Sequence, residues 1–303
     1  MTADPIALTP AFAALLFAAA SVAGFLGALL GVGGGIIVVP AMVLGFGLPM
    51  KIAVAASVVS VIATSNAGGS SYVDQRISNL RLAMILEIPT TVGALGGAVL
   101  ALVLSEWILL LLFALLLGVM SWNAFASRNT DAERIARGDY ASIEPDRFAR
   151  KLRLRGSYHD QAAKKDVEYV VTGIPAGVIV SLLAGAASGL LGVGGGVLKV
   201  SAMNHYMNVP MKVAVGTSKL MIGVTAAIGA LLFFLAGMIH VYVVAPVALG
   251  TTAGATVGTH VMNRLHAAVL KWVFALLMAY LAWGMIAKAL ALRFDIHLPS
   301  LAV

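Results

Sequence analysis

The stretch Leu29-Leu30-Gly31-Val32-Gly33-Gly34-Gly35 recurs as Leu190-Leu191-Gly192-Val193-Gly194-Gly195-Gly196. Each copy closes one long apolar segment and opens a much shorter one, Ile36–Leu48 in the first case and Val197–Val209 in the second. Three consecutive glycines open backbone conformations that other residues avoid and let another group come close to the peptide amides. A helix that starts just after such a run aims unpaired N–H groups and a positive dipole end into the turn. In so apolar a chain, the guest expected there is an anion held inside a membrane.

Working outward, a shift of 161 residues superposes the two halves. Between Gly24–Ser57 and Gly185–Ser218, 17 of 34 positions are identical without a gap. Pro49-Met50-Lys51 falls on Pro210-Met211-Lys212, and Gly93 and Gly97 fall on Gly254 and Gly258. This is an internal duplication, the common plan of secondary transporters. Each half has one segment order. The first runs Ala11–Leu30, Ile36–Leu48, Ile52–Tyr72, Leu82–Leu104 and Trp107–Phe125; the second runs Val167–Leu191, Val197–Val209, Val213–Leu235, Val241–Met262 and Val269–Leu292. Thirteen residues of helix reach about 20 Å, short of the roughly 30 Å of hydrocarbon. The short segments are therefore broken or re-entrant helices whose irregular starts need a protein or aqueous environment. The fold expected is an all-α polytopic membrane protein: two duplicated halves, eight full spans and two short helices. It divides into repeat 1 (1–127), a charged cytoplasmic linker (128–166) and repeat 2 (167–303).

Composition agrees with a membrane address. Hydrophobic residues make up 60% of the 303 and charged residues 11%, and apolar runs beyond 18 residues argue for crossing a bilayer. The net charge of +7 is no sign of a nucleic-acid partner. Ten of the 20 Lys and Arg lie between Arg128 and Lys165, which reads as a positive-inside signal. Within that linker, Asp146–Arg155 reads as a short surface helix. With the linker inside, the loop with Arg76 and Arg81 is inside and Ser105-Glu106 outside, whereas the equivalent loops of the second half reverse in charge. That bias favours inverted-topology repeats over parallel ones, although Lys288 and Arg293 near the C-terminus run against it. The sequence has no Cys, so disulfides and thiolate ligands are excluded. No His/Asp/Glu cluster has metal-ligand spacing, no catalytic constellation stands out, and no cofactor is expected. The location expected is the cell (inner) membrane.

The doubled pattern of Gly24, Gly31-Val-Gly-Gly-Gly35, Val39-Pro40, Pro49 and Ser57, repeated from Gly185, resembles the TauE/SafE sulfite exporter family, also called the 4-toluene sulfonate uptake permeases. The resemblance runs from about Ala11 to Leu292, with the linker unmatched. It implies transport of small sulfur-containing anions such as sulfite or organosulfonates, without ATP. One departure is visible: Ser201 stands where the first half has Pro40, so equal bending of the two short helices does not follow.

The candidate substrate-binding residues are Gly33, Gly34, Gly35, Gly194, Gly195 and Gly196, whose amides suit an oxyanion. Close packing of small residues is the competing account of any glycine in a membrane helix, and it suffices for Gly93, Gly96, Gly97, Gly250, Gly254 and Gly258. Lys199 and Lys219 stand in apolar sequence where Val38 and Val58 stand in the first half. A charge at membrane depth is costly and usually paired or functional; snorkelling to an interface is the alternative. Ser57, Asn66, Thr217 and Ser218 can donate to sulfonate oxygens without burying charge, or bond within their own helices. Glu87, just before Pro89, is the candidate for proton or sodium coupling, with Arg81 or Arg76 as alternative partners. Lys51 and Lys212 read as interfacial anchors. The rival function is an ion channel or cation/proton-coupled carrier built on Glu87 and the carbonyls that glycine frees.

Overall fold

The computed structural model describes residues 9–29, 34–74, 77–126, 140, 146–152, 154–160, 165–262 and 267–295. The first half comprises α1 (Pro10–Leu29), the short α2 (Gly35–Pro40, continued by a π-turn over Ala41–Gly45), α3 (Met50–Asp74), α4 (Leu80–Val103) and α5 (Glu106–Ala126). The linker holds α6 (Arg147–Lys151) and an antiparallel hairpin of β1 (Arg155–Asp160) and β2 (Lys165–Val170). The second half comprises α7 (Ile174–Leu191), the short α8 (Gly196–His205), α9 (Met211–Leu235), α10 (Val241–Met262) and α11 (Ala267–Phe294). Among the described residues, seven helices are long and apolar enough to cross a membrane: α1, α4, α5, α7, α9, α10 and α11.

The duplication is written into the packing. The first helix of each half lies against the fourth helix of the other, α1 on α10 and α7 on α4, while α3 faces α9 and α5 faces α11. Glycines set the close approach, and they do so in matched pairs. A Cβ on Gly24 would run into the Thr251 carbonyl, and one on Gly185 into the Thr90 carbonyl. Likewise Gly254 abuts the Ser21 carbonyl and Gly93 that of Leu182. Each residue of the second contact lies 161 positions from its counterpart in the first. Backbones brought this near gain van der Waals contact, which drives helix association where lipid removes the hydrophobic incentive.

Pro40 explains why the short helices differ. Its ring removes one backbone donor and crowds the preceding turn, and the chain widens into the π-turn at Ala41–Gly45. The Lys288 ammonium on α11 donates to the Val43 carbonyl there at 2.6 Å. With Ser201 in place of a proline, α8 continues as a plain α-helix to His205.

The linker corrects two expectations. The all-α description holds for the membrane part, but residues 165–170 form a strand, so the first helix of repeat 2 starts at Ile174 and not at Val167. Gly173, in the left-handed region at φ 65°, and Pro175 in the first turn set that start. The linker, expected to be a polar connection with a surface helix, is docked on the membrane helices. Leu154, Tyr158, Val167 and Tyr169 pack with Met203, Met207 and Val209 at the far end of α8 and with Leu82 and Leu86 of α4. Asp146 caps α6 through the Ala149 N–H at 2.6 Å and accepts from the Ile174 N–H at 3.2 Å. Asn208, itself at φ 55°, donates to the Tyr140 and Val170 carbonyls, each at 3.0 Å.

Burial pushes the Tyr169 phenol above its ordinary pKa, opposed by the Asn79 amide that donates to it at 3.1 Å. The folded state thus favours the neutral phenol. Its contribution to stability is full below the unfolded value, near pH 10, and is lost as the pH rises through the folded value. Tyr169→Phe leaves the half-buried Asn79 amide short of an acceptor and is expected to cost about 1 kcal/mol; thermal melting of the purified protein checks it.

Candidate functional site

The two glycine breaks meet. Ser57, fully buried on α3, donates to the Gly192 carbonyl of the second half at 2.7 Å and lies 3.4 Å from the Gly35 carbonyl of the first. A Cβ on Gly35 would stand 2.7 Å from the Gly192 oxygen and 2.8 Å from the Ser57 hydroxyl. Val54 and Val61 of the same helix line the break from the other side, next to Gly192 and Gly194 respectively. One helix of repeat 1 therefore threads both breaks. On the other side Ser218 of α9 donates to the Gly196 carbonyl at 3.3 Å. That bond is the 161-residue image of Ser57 on Gly35, so the two helix starts are braced alike.

The helix starts suit an anion. Neither Gly34 nor Gly195 supplies a side-chain cap, and the first-turn N–H groups of a helix have no partner within it. The positive dipole ends of α2 and α8 thus come together in buried surroundings. Gly192, Gly194 and Gly195 hold φ of 70°, 74° and 64°, which a side chain takes up only at a cost. Gly34 does not repeat this; it is helical at φ −63°. The two turns share a sequence but not a backbone path.

The remaining candidates divide. Thr217 accepts the Asn79 N–H at 3.0 Å, which fixes the start of α4. The Lys219 carbonyl accepts from Ser65 at 2.5 Å and ties α3 to α9. Lys199 and Glu87 are joined through a residue the sequence did not single out. The Lys199 ammonium, in the first turn of α8, donates to the Thr225 hydroxyl at 3.2 Å, and Thr225 lies 2.9 Å from Glu87 Oε1. Nothing local in the sequence marks Thr225; it gains its place because segments 26 and 138 residues away converge on it. The Glu87 carboxylate meets Thr225 rather than Arg81, and Arg76, its other expected partner, lies outside the described residues. Lys51 does more than anchor: its ammonium donates to the Leu102 carbonyl at the end of α4 at 2.6 Å. Gly33 lies outside the described residues, as does the side chain of Asn66.

Comparison with known proteins finds a family and several relatives. The family model for the sulfite exporter TauE/SafE matches residues 16–285. The chain is similar to the "Probable membrane transporter protein YunE" of Bacillus subtilis, 22% identical over 81% of this chain and 86% of that one. It is also similar to two "Probable membrane transporter protein" sequences of Xylella fastidiosa, 26% and 27% identical, each over 86% of this chain and 89% of the relative. No solved structure matches.

Proposed function

The chain belongs to the TauE/SafE sulfite exporter family and is a multi-pass membrane transporter, and we propose that it carries a small sulfur-containing anion, sulfite or an organosulfonate, by alternating access around the joined glycine breaks. One observation supports this above the rest: Ser57 bridges Gly35 and Gly192, so two uncapped helix starts from different halves converge on one buried point. The binding set proposed is the amides of Gly34, Gly35 and Gly194–Gly196, with the Ser57 and Ser218 hydroxyls turning from backbone carbonyls to the guest. The glycine amides supply donors to the guest without adding a charge of their own.

The same contacts support an eight-span arrangement with inverted repeats. Helix α3 runs 25 residues, Met50–Asp74, and its image α9 is itself a membrane-length helix, so α3 is the eighth span of the proposal. Helix α4 is about 36 Å long at 1.5 Å per residue. The junction of α2 and α3 is tied to its end, through Lys51 on Leu102 and through Glu106, at the start of α5, accepting the Met50 N–H at 2.7 Å. The α8–α9 side is tied to its start, through Thr217 on Asn79 and through the hairpin that packs on Met207. Short helices that enter from opposite faces are the mark of inverted repeats. Reporter fusions after Glu106 and after Leu265 are expected on opposite sides of the membrane; the same side for both contradicts inversion.

A cation carrier is the weaker reading, because the buried ammonium of Lys199 shares a hydroxyl with Glu87 and repels a metal ion placed there.

A further inference from the structure

The two halves together build a charge system that has no image under the repeat. Lys199 is 1% exposed, and its ammonium is held by Thr225. The Thr225 hydroxyl has one proton and two acceptors, Glu87 Oε1 and the Met221 carbonyl, both at 2.9 Å. Glu87 Oε2 is buried and has no hydrogen-bond partner among the described residues. Moved by 161 residues, these positions are Val38, Thr64 and Ala248: the hydroxyl is kept and both charges are gone. The other titratable groups on helices packed against α4 are Lys212 and Lys219 of α9, and α7 has none; Arg81 lies on α4 itself, Tyr169 on the docked hairpin and His205 at the far end of α8. None of these hydrogen-bonds the carboxylate, whose hydrogen-bond partner among the described residues is Thr225.

We propose that Glu87 is the proton-binding site of an electroneutral anion–proton symport and that Thr225 is the positioning residue joining it to Lys199. This rests on the reading that the glycine breaks hold a monovalent anion. In the empty site the Lys199 ammonium is balanced by the Glu87 carboxylate through Thr225. An anion at the amides of Gly194–Gly196 lies one helical turn from Lys199 and takes over as its counter-charge. The carboxylate, left uncompensated in apolar surroundings, then binds a proton at one oxygen, and the Thr225 hydroxyl turns to Met221. The site is neutral overall in both states, and neutrality is what makes movement across the hydrocarbon affordable. The image set Val38, Thr64 and Ala248, with neither charge, leaves the α2 side of the site to its amides alone.

The test uses the full chain in vesicles with two monovalent probes, 2-hydroxyethanesulfonate and 4-toluene sulfonate. A gradient of one pH unit, worth about 1.36 kcal/mol, is expected to drive about tenfold accumulation of a transported probe, insensitive to a clamped membrane potential. Glu87→Gln is expected to exchange labelled for unlabelled probe with a flat pH profile and to accumulate none. Thr225→Val is expected to lower accumulation, and Thr225→Ser to restore it. Accumulation that follows the potential, or that survives in Glu87→Gln, overturns the coupling while leaving the anion site intact. Should Glu87→Gln fail to assemble, full accumulation by Thr225→Val overturns it instead. If the wild type exchanges neither probe, the anion-site reading falls and this inference falls with it.

Discussion

Gly35→Ala abolishes anion flux, to below about a tenth of wild type, whereas Gly34→Ala keeps most of it. The two glycines are neighbours in one motif and both are buried, so composition gives no reason to separate them. The structure does. A methyl on Gly34 meets nothing nearer than 3.5 Å, an ordinary contact. A methyl on Gly35 stands 2.7 Å from the Gly192 carbonyl, and because the obstacle is backbone, one helix start must move. Overpacking of this kind costs about 1–3 kcal/mol. Here the displacement falls between the two sets of amides that must converge on one guest, where a shift of an ångström costs about a hundredfold. Initial uptake rates in vesicles, normalised to the inserted protein, check the contrast. Equal rates for the two variants count against a site at the break.

The second large effect is on assembly. Gly93→Leu and Gly254→Leu each lose the folded protein, by about 3 kcal/mol or more, because the new side chain starts inside the carbonyl of Leu182 or Ser21. The two are images of each other, so their losses are expected to match. Gly96, expected from the sequence to serve close packing, instead has open space at its Cβ position, and Gly96→Leu leaves the fold intact. Thermal unfolding in detergent reads all three. A loss for Gly93 without one for Gly254 contradicts the claim that the halves interlock by the same contact.

Much of this was legible from the repeat. A duplication with conserved segment order gives the helix count of each half, and a glycine run before a segment too short to span points to a break. Pro40 against Ser201 was enough to question equal bending, since a missing donor has a local consequence wherever it falls. The β-hairpin was not legible. Its buried face, Tyr158, Val167 and Tyr169, alternates over only a few residues within a strongly charged linker, and such short alternation carries little weight. Nor was the opposite backbone sign at Gly34 and Gly195, because identical residues read identically and the path is set by what packs around them. Thr225 stayed hidden for a third reason. A hydroxyl in an apolar helix gains meaning only from partners that tertiary structure brings to it, and Glu87 and Lys199 were each read alone.

The most direct test of the shared anion site is ligand-induced stabilisation of the purified protein. The panel is sulfite, thiosulfate, taurine, sulfoacetate and sulfolactate, with sodium and potassium chloride as controls. At a hundredfold excess over its dissociation constant, a ligand bound only by the folded state adds about 2.7 kcal/mol. The account predicts such a gain for at least one sulfur-containing member in the wild type and in Gly34→Ala, and its loss in Gly35→Ala. Stabilisation by the cations alone, or an undiminished gain in Gly35→Ala, contradicts it.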